Sequence, residues 1–113
     1  MWNSLAPQLP VRDVAESQRY FRDVLGFEIA WIRGDRFGAV QGGKTEIFLC
    51  KSDTPPAAAT ICVLVDDADS LFAIYQERGA KIVERPETKP WGVHEFTIEE
   101  PNGHLFRIGS SVR

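Results

Sequence analysis

Apolar and polar positions along this chain fall into the same order twice. Leu9-Pro10-Val11 reads as an apolar strand, Asp13 as an acidic helix cap, and Val14, Phe21 and Leu25, with Val24 beside them, as one face of a helix that Gly26 stops. In the second half Val63-Leu64-Val65 reads as a strand and Asp66 or Asp67 as a cap. Ala68, Leu71, Phe72 and Tyr75 then share a helical face, and Gly79 ends the helix. Val11 and Val65, Asp13 and Asp67, and Phe21 and Tyr75 correspond, each pair 54 residues apart. Glu16, three positions after Asp13, completes a capping-box pattern, and Arg19, Arg22 and Asp23 form the wet face with it. Each half closes with a glycine turn before an apolar strand: Gly42-Gly43 before Ile47-Phe48-Leu49, and Asn102-Gly103 before Leu105-Phe106.

The remaining strands follow from alternation and β-branched content. They are predicted at Leu5 to Val11, Phe27 to Ile32, Phe37 to Gln41, Thr45 to Lys51, Thr60 to Val65, Lys81 to Glu84, Val93 to Glu99 and Leu105 to Gly109. Pro7 and Pro10 confine the first to a sheet edge, because proline has no N–H for a second neighbour. The polar stretch from Arg85 to Pro90 is expected as a flexible loop delivering Trp91. The fold class is α+β: a βαβββ unit repeated twice in tandem, with the helices on one face of curved sheet. Module one spans about residues 1–53, a linker with Pro55-Pro56 and an alanine run about 54–58, and module two about 59–113.

At 113 residues the chain is one domain with room for a core, and 43% hydrophobic with 26% charged residues is ordinary for a globular protein. A net charge of −3 argues against nucleic acid as partner and mildly favours cationic or neutral ligands. No apolar run reaches the length of a membrane span and no signal pattern opens the chain, so a cytoplasmic location is expected. Cys50 and Cys62 lack CxxC spacing and are expected as reduced, buried thiols within strands.

The opening Leu9-Pro10-Val11-Arg12-Asp13 with Tyr20-Phe21 and Leu25-Gly26-Phe27 resembles the glyoxalase, bleomycin-resistance and extradiol dioxygenase group, the vicinal oxygen chelate superfamily. So does the closing Pro90-Trp91-Gly92-Val93-His94-Glu95-Phe96 with Glu100-Pro101-Asn102-Gly103-His104. The resemblance covers essentially the whole chain. It implies two βαβββ modules whose curved half-barrel sheets enclose a cup, commonly completed across a homodimer interface. It also implies, for the enzymes of the group, one metal ligand on each of four cup-facing strands. Here those positions fall on Ala6, Thr60, Phe48 and Arg107, with Glu46 near the third. Alanine and phenylalanine offer no lone pair, threonine is a poor ligand and arginine repels a cation. The resemblance therefore implies no bound metal and no cofactor.

Strand parity then sorts what faces the cup. Glu95 and Thr97 alternate with His94, Phe96 and Ile98, which go to the helix side. Ala6 and Gln8, Glu46, Phe48 and Cys50, Thr60 and Cys62, and Leu105 and Arg107 join the cup side. His104 is expected as a surface histidine toward the helix side or solvent. Trp91 is expected to stack on a planar ligand, with Trp31 and Phe37 either in the pocket or in ordinary packing. Glu95 either pairs with Arg107 across the strands or binds an amine-bearing ligand.

The candidate ligand-binding set is thus Trp91, Glu95, Phe48, Phe37, Trp31, Arg107, Gln8, Thr60 and Cys62, with no catalytic residue assigned. The expected function resembles that of bleomycin-resistance proteins: a homodimer sequestering a planar small molecule, cationic or neutral, such as a glycopeptide antibiotic, with neither nucleic acid nor membrane as partner. The alternatives are a metal-dependent lyase or dioxygenase of the same fold, and a metal-free acid–base enzyme using Glu95.

Overall fold

Asp13 and Asp67 start the two helices in the same way. Each has extended backbone, and each carboxylate accepts a hydrogen bond from the amide three residues on, Glu16 N at 2.8 Å and Ser70 N at 3.2 Å. Gly26 and Gly79 follow the helices with φ of 79° and 84°, the left-handed conformation that glycine adopts without strain. The computed structural model describes residues 1–54 and 57–112. Pro55 and Pro56, at the centre of the expected linker, and Arg113 lie outside the described residues.

The chain divides into two units, Met1–Ala57 and Ala58–Arg113. The first holds β1 (Gln8–Val11), α1 (Val14–Asp23), β2 (Glu28–Arg33), β3 (Phe37–Gly42) and β4 (Thr45–Lys51). Its sheet runs β1-β4-β3-β2, with β1 parallel to β4 and the other pairs antiparallel. The second holds β5 (Thr60–Leu64), α2 (Ala68–Glu77), β6 (Lys81–Thr88), β7 (Val93–Glu99) and β8 (Leu105–Ser111), ordered β5-β8-β7-β6 with the same directions. The fold is α+β, two βαβββ modules with open curved sheets, as the repeat implied.

In each unit the helix packs on one sheet face and the other face carries no helix. Val14 and Phe21 of α1 are buried with Leu9, Val11, Val40, Ile47 and Leu49. In the second unit Phe72 and Tyr75 of α2 stack edge-on against Phe96, and Ile98, Phe106 and Ile108 complete the core. Full burial of each such side chain contributes about 2 kcal/mol. Ser17 and Gln18, which the apolar pattern passed over, are buried as well.

Several expectations are corrected. The first strand begins at Gln8 rather than Leu5, which is largely exposed. Only the Pro7 carbonyl reaches β4, accepting from Phe48 N. Arg85 to Thr88 is not a loop but the second half of β6, which stays paired with β7 through register shifts between Ile82 and Glu84 and between Glu84 and Glu87. On an edge strand the unpaired side takes water, so a charged sequence is tolerated there. His104 is fully buried, not superficial, because its Nδ1 accepts the Ala59 amide at 3.0 Å and joins the turn to β5. Cys62 is exposed and Cys50 half-buried, since both fall on the face without a helix. His94 does lie toward the helix, bonded to Asp69 of α2 and to Thr88.

Candidate functional site

The helix-free face of the first unit carries an aromatic cluster. Trp31, Phe37 and Phe48 come from β2, β3 and β4, with ring centroids 5.2, 5.7 and 5.9 Å apart at tilted or edge-on angles. Such geometry is favourable for aromatic quadrupoles. The Arg33 guanidinium lies 5.3 Å from the Trp31 ring centroid, within cation–π range. Gln8 is exposed beside them, paired in register with Phe48.

Trp31 is aimed from behind by a residue the apolar pattern gave no reason to select. The register between β2 and β3 shifts between Ile29 and Trp31, which leaves Ala30 as a bulge. Gln18 reaches through from α1 and donates from Nε2 to the Trp31 carbonyl at 2.8 Å and the Ala39 carbonyl at 3.1 Å. A Cβ on Gly38 would lie 2.9 Å from that Nε2 and 2.8 Å from Val14 Cγ1, so only glycine leaves room for it.

The helix-free face of the second unit carries a cleft of about 500 Å³. Cys62, Leu64, Trp91, Val93, Glu95, Arg107 and Gly109 line it, with Val63 at its edge. The size lies within the usual range for small-molecule sites. Trp91 and Leu64 are 63% and 77% exposed, an unusual state for two large apolar side chains standing together. Trp91 does not ride on a loose loop. Lys89 and Val93 are bonded across the turn, Gly92 donates to Lys89, and Val112 donates to Gly92.

Arg107 and Glu95 meet as a bidentate pair: Nε donates to Oε2 at 3.2 Å and Nη2 to Oε1 at 3.0 Å. The hydrogen bond with Glu95, then its charge, holds the Arg107 guanidinium above its usual range. The two partners differ in access. The Glu95 side chain is 7% exposed and that of Arg107 40%. Both carboxylate oxygens, on which an amine-bearing ligand or a general base would depend, are therefore turned to Arg107. Beyond the pair, Glu84 is bonded to Lys89, which holds its carboxyl below the usual range, and its charge reaches Arg107.

Of the nine candidates, the structure brings Trp31, Phe37 and Phe48 together in the first unit, with Gln8 beside Phe48. Trp91, Glu95, Arg107 and Cys62 come together in the second. Thr60 pairs with Leu105 at the start of β5 and does not line the cleft. Gly109 was missed. A Cβ there would sit 2.5 Å from Val93 Cγ1 and 3.1 Å from Glu95 Cβ, so the bare glycine is what leaves the floor of the cleft open. An isolated glycine inside an apolar strand signals close approach of this kind.

The donor set does not fit a metal centre. Among the described residues no three His, Cys, Asp or Glu side chains converge. Phe48 is stacked between aromatic rings and Arg107 is paired with Glu95, at two of the four positions where the resemblance implies a metal ligand.

A duplicated βαβββ fold with open curved sheets is the architecture of the vicinal oxygen chelate group. The chain belongs to the glyoxalase/bleomycin resistance protein/dioxygenase superfamily, whose family profile matches residues 4–108. No curated protein matches it. Solved structures share the fold at low identity. TioX from Micromonospora sp. ML1 superposes with a TM-score of 0.85 at 21% identity, over 97% of this chain and 100% of that one. A bleomycin-binding protein solved in complex with bleomycin gives 0.83 at 21% identity, over 97% and 99%. A superfamily member from Sphaerobacter thermophilus gives 0.83 at 23% identity, over 97% and 98%. Among the described residues no helix is long and apolar enough to cross a membrane.

Proposed function

We propose that this chain is a small-molecule binding protein of the bleomycin-resistance kind, a cytoplasmic homodimer that sequesters a planar organic molecule without metal, cofactor or turnover. The observation that carries this reading is the cleft of the second unit, where the exposed Trp91 and Leu64 stand over the Arg107–Glu95 pair. An exposed indole fixed by a hydrogen-bonded turn is a ready stacking surface, and Gly109 leaves depth beneath it. The half-buried aromatic cluster of Trp31, Phe37 and Phe48 supports the same chemistry on the first unit. A relative in the fold binds bleomycin.

Dimerisation is proposed because two helix-free sheet faces, the second bearing the exposed Trp91 and Leu64, suit closure by a second copy. Both cysteines are free thiols, which suits a reducing compartment.

Native mass spectrometry of the purified protein, followed by titration with a flat aromatic such as 2-naphthalenemethanol, tests the reading. The expected result is a dimer that carries no metal and recovers its ligand unchanged, with quenching of Trp91 emission on binding. Trp91→Ala should weaken binding roughly five-fold. A melting temperature lowered by chelator and restored by zinc would overturn the metal-free part. Chemical conversion of the bound molecule would overturn sequestration.

A further inference from the structure

We propose that the cleft of the second unit selects an aromatic ring bearing an anionic oxygen, and that the free edge of Arg107 is the group that selects it. The inference rests on the reading of this cleft as a small-molecule site and adds the sign of the ligand's charge. Glu95 takes the Nε proton and one Nη2 proton of Arg107. The rest of the guanidinium, including both protons of Nη1, makes no hydrogen bond among the described residues and belongs to the more exposed partner of the pair. The Glu95 carboxylate is buried and has its two oxygens turned to the guanidinium, so it orients Arg107 and offers nothing outward.

The rest of the lining excludes other choices. Leu64, Trp91, Val93 and Val63 are apolar, Gly109 has no side chain, and Cys62 supplies only a weak sulfur donor. Glu84, the next carboxylate that Arg107 feels, is bonded to Lys89 and so compensated. A ligand cation entering here would meet a guanidinium with no available counter-charge. A neutral ring would leave the free N–H groups of Nη1 without an acceptor as water is displaced, which costs free energy. A carboxylate, phenolate or enolate oxygen on a flat ring satisfies both the indole and the guanidinium, and planar oxygen groups match the arginine fork. This runs against the net charge of −3, which favoured a cationic or neutral ligand. The local donor decides because whole-chain charge is screened over about 10 Å in ordinary buffer.

Three probes of one shape separate the ring from its charge: 2-naphthoate, 2-naphthalenemethanol and 2-naphthylmethylammonium, titrated calorimetrically into the full chain in about 0.1 M salt. The expected order is naphthoate tightest, by about ten-fold over the alcohol, with the ammonium weakest. Arg107→Leu alone strands a buried carboxylate and risks unfolding, so the informative variant is Arg107→Leu combined with Glu95→Leu. It should erase the preference for naphthoate and bring its affinity level with that of the alcohol. Equal binding of naphthoate and alcohol by the natural chain, or tighter binding of the ammonium, overturns the anion inference and leaves the planar site standing. A naphthoate preference that survives in the double variant overturns it too, because the anion is then held elsewhere. Absence of binding by all three probes removes the aromatic site and the inference together.

Discussion

Phe48 and Arg107 occupy the same position in the two sheets. Phe48 is the register partner of Gln8 in β1, and Arg107 is the partner of Cys62 in β5, where Gln8 and Cys62 are 54 residues apart, as are the repeats. The correspondence continues across each sheet. Phe48 pairs with Ala39 and that with Trp31, while Arg107 pairs with Thr97 and that with Glu84. In the adjoining row Phe37 matches Glu95, each paired with the β4 or β8 residue two places beyond, Cys50 or Gly109. Three aromatic residues in one unit therefore answer three charged residues in the other. One scaffold presents a stacking face in its first copy and a charged cleft in its second.

Phe48 should carry packing in the first unit, and its loss should be felt locally. Phe48→Ala removes contacts to both Trp31 and Phe37, and because the ring is only half-buried the cost should be about 2 kcal/mol, below that of a fully buried phenylalanine. Urea unfolding measures it. Trp31 emission should shift to the red in the folded variant as water reaches the indole.

The Arg107–Glu95 pair should respond unequally to loss of each partner. Arg107→Leu leaves an almost fully buried carboxylate unpaired, whereas Glu95→Leu leaves a guanidinium that can turn to water. The melting temperature should fall further for Arg107→Leu, and the double variant should recover most of that fall. Additive losses in this cycle would show that the pair contributes no coupling.

Gly109→Ala should both destabilise the chain and shorten the cleft. The new methyl would lie 2.5 Å from Val93 Cγ1, closer than real Cβ contacts allow, and overpacking of this kind costs about 1–3 kcal/mol. Adding Val93→Ala should restore stability by removing the opposing methyl. If the second substitution gives no recovery by thermal melting, steric conflict with Val93 is not the cause.

At α2 the sign of the pH effect follows from the cap. The Ser70 hydroxyl, then the Ser70 amide, bond the Asp67 carboxylate and hold its pKa below the ordinary 3.8. A folded-state pKa lowered in this way adds stability that is fully present above 3.8 and is lost as pH falls through the lower folded value. Asp67→Asn should keep most of the cap at neutral pH and flatten stability against pH below 3.8. Chemical denaturation at a series of acid pH values measures the slope.

The duplicated architecture was legible because caps, glycine stops and apolar spacing are local signals, and both units carry them at matching places. Strand parity was legible for the same reason, and it placed Glu95, Arg107 and Phe48 on the helix-free faces. Gln18 was not legible: a buried glutamine satisfying a bulge two strands away is a tertiary fact that helical periodicity hides. Nor was the β6 extension through Arg85 to Thr88, where edge pairing overrode a composition typical of loops. Cys62 was misjudged because an apolar strand implies burial only where both faces are covered.

Glu100 is the residue whose loss should most disturb the second unit outside its hydrophobic core. Its side chain is 1% exposed, yet it faces donors rather than apolar groups. Oε1 accepts the Asn102 amide at 2.7 Å and the His104 amide at 3.0 Å, and Oε2 accepts Asn102 Nδ2 at 3.0 Å. These bonds fold the Pro101-Asn102-Gly103 turn, with Gly103 at φ 90°, and seat His104 where its Nδ1 receives the Ala59 amide beside the start of β5. Glu100→Ala removes an acceptor from two buried backbone amides and should cost about 2–4 kcal/mol. Glu100→Gln keeps one acceptor oxygen for the backbone amides and should cost less, since only the Asn102 side chain must find another partner. Equilibrium unfolding of both variants, with amide exchange at Asn102, His104 and Ala59, tests the order. Equal losses for Ala and Gln would show that the turn is held by shape rather than by its carboxylate.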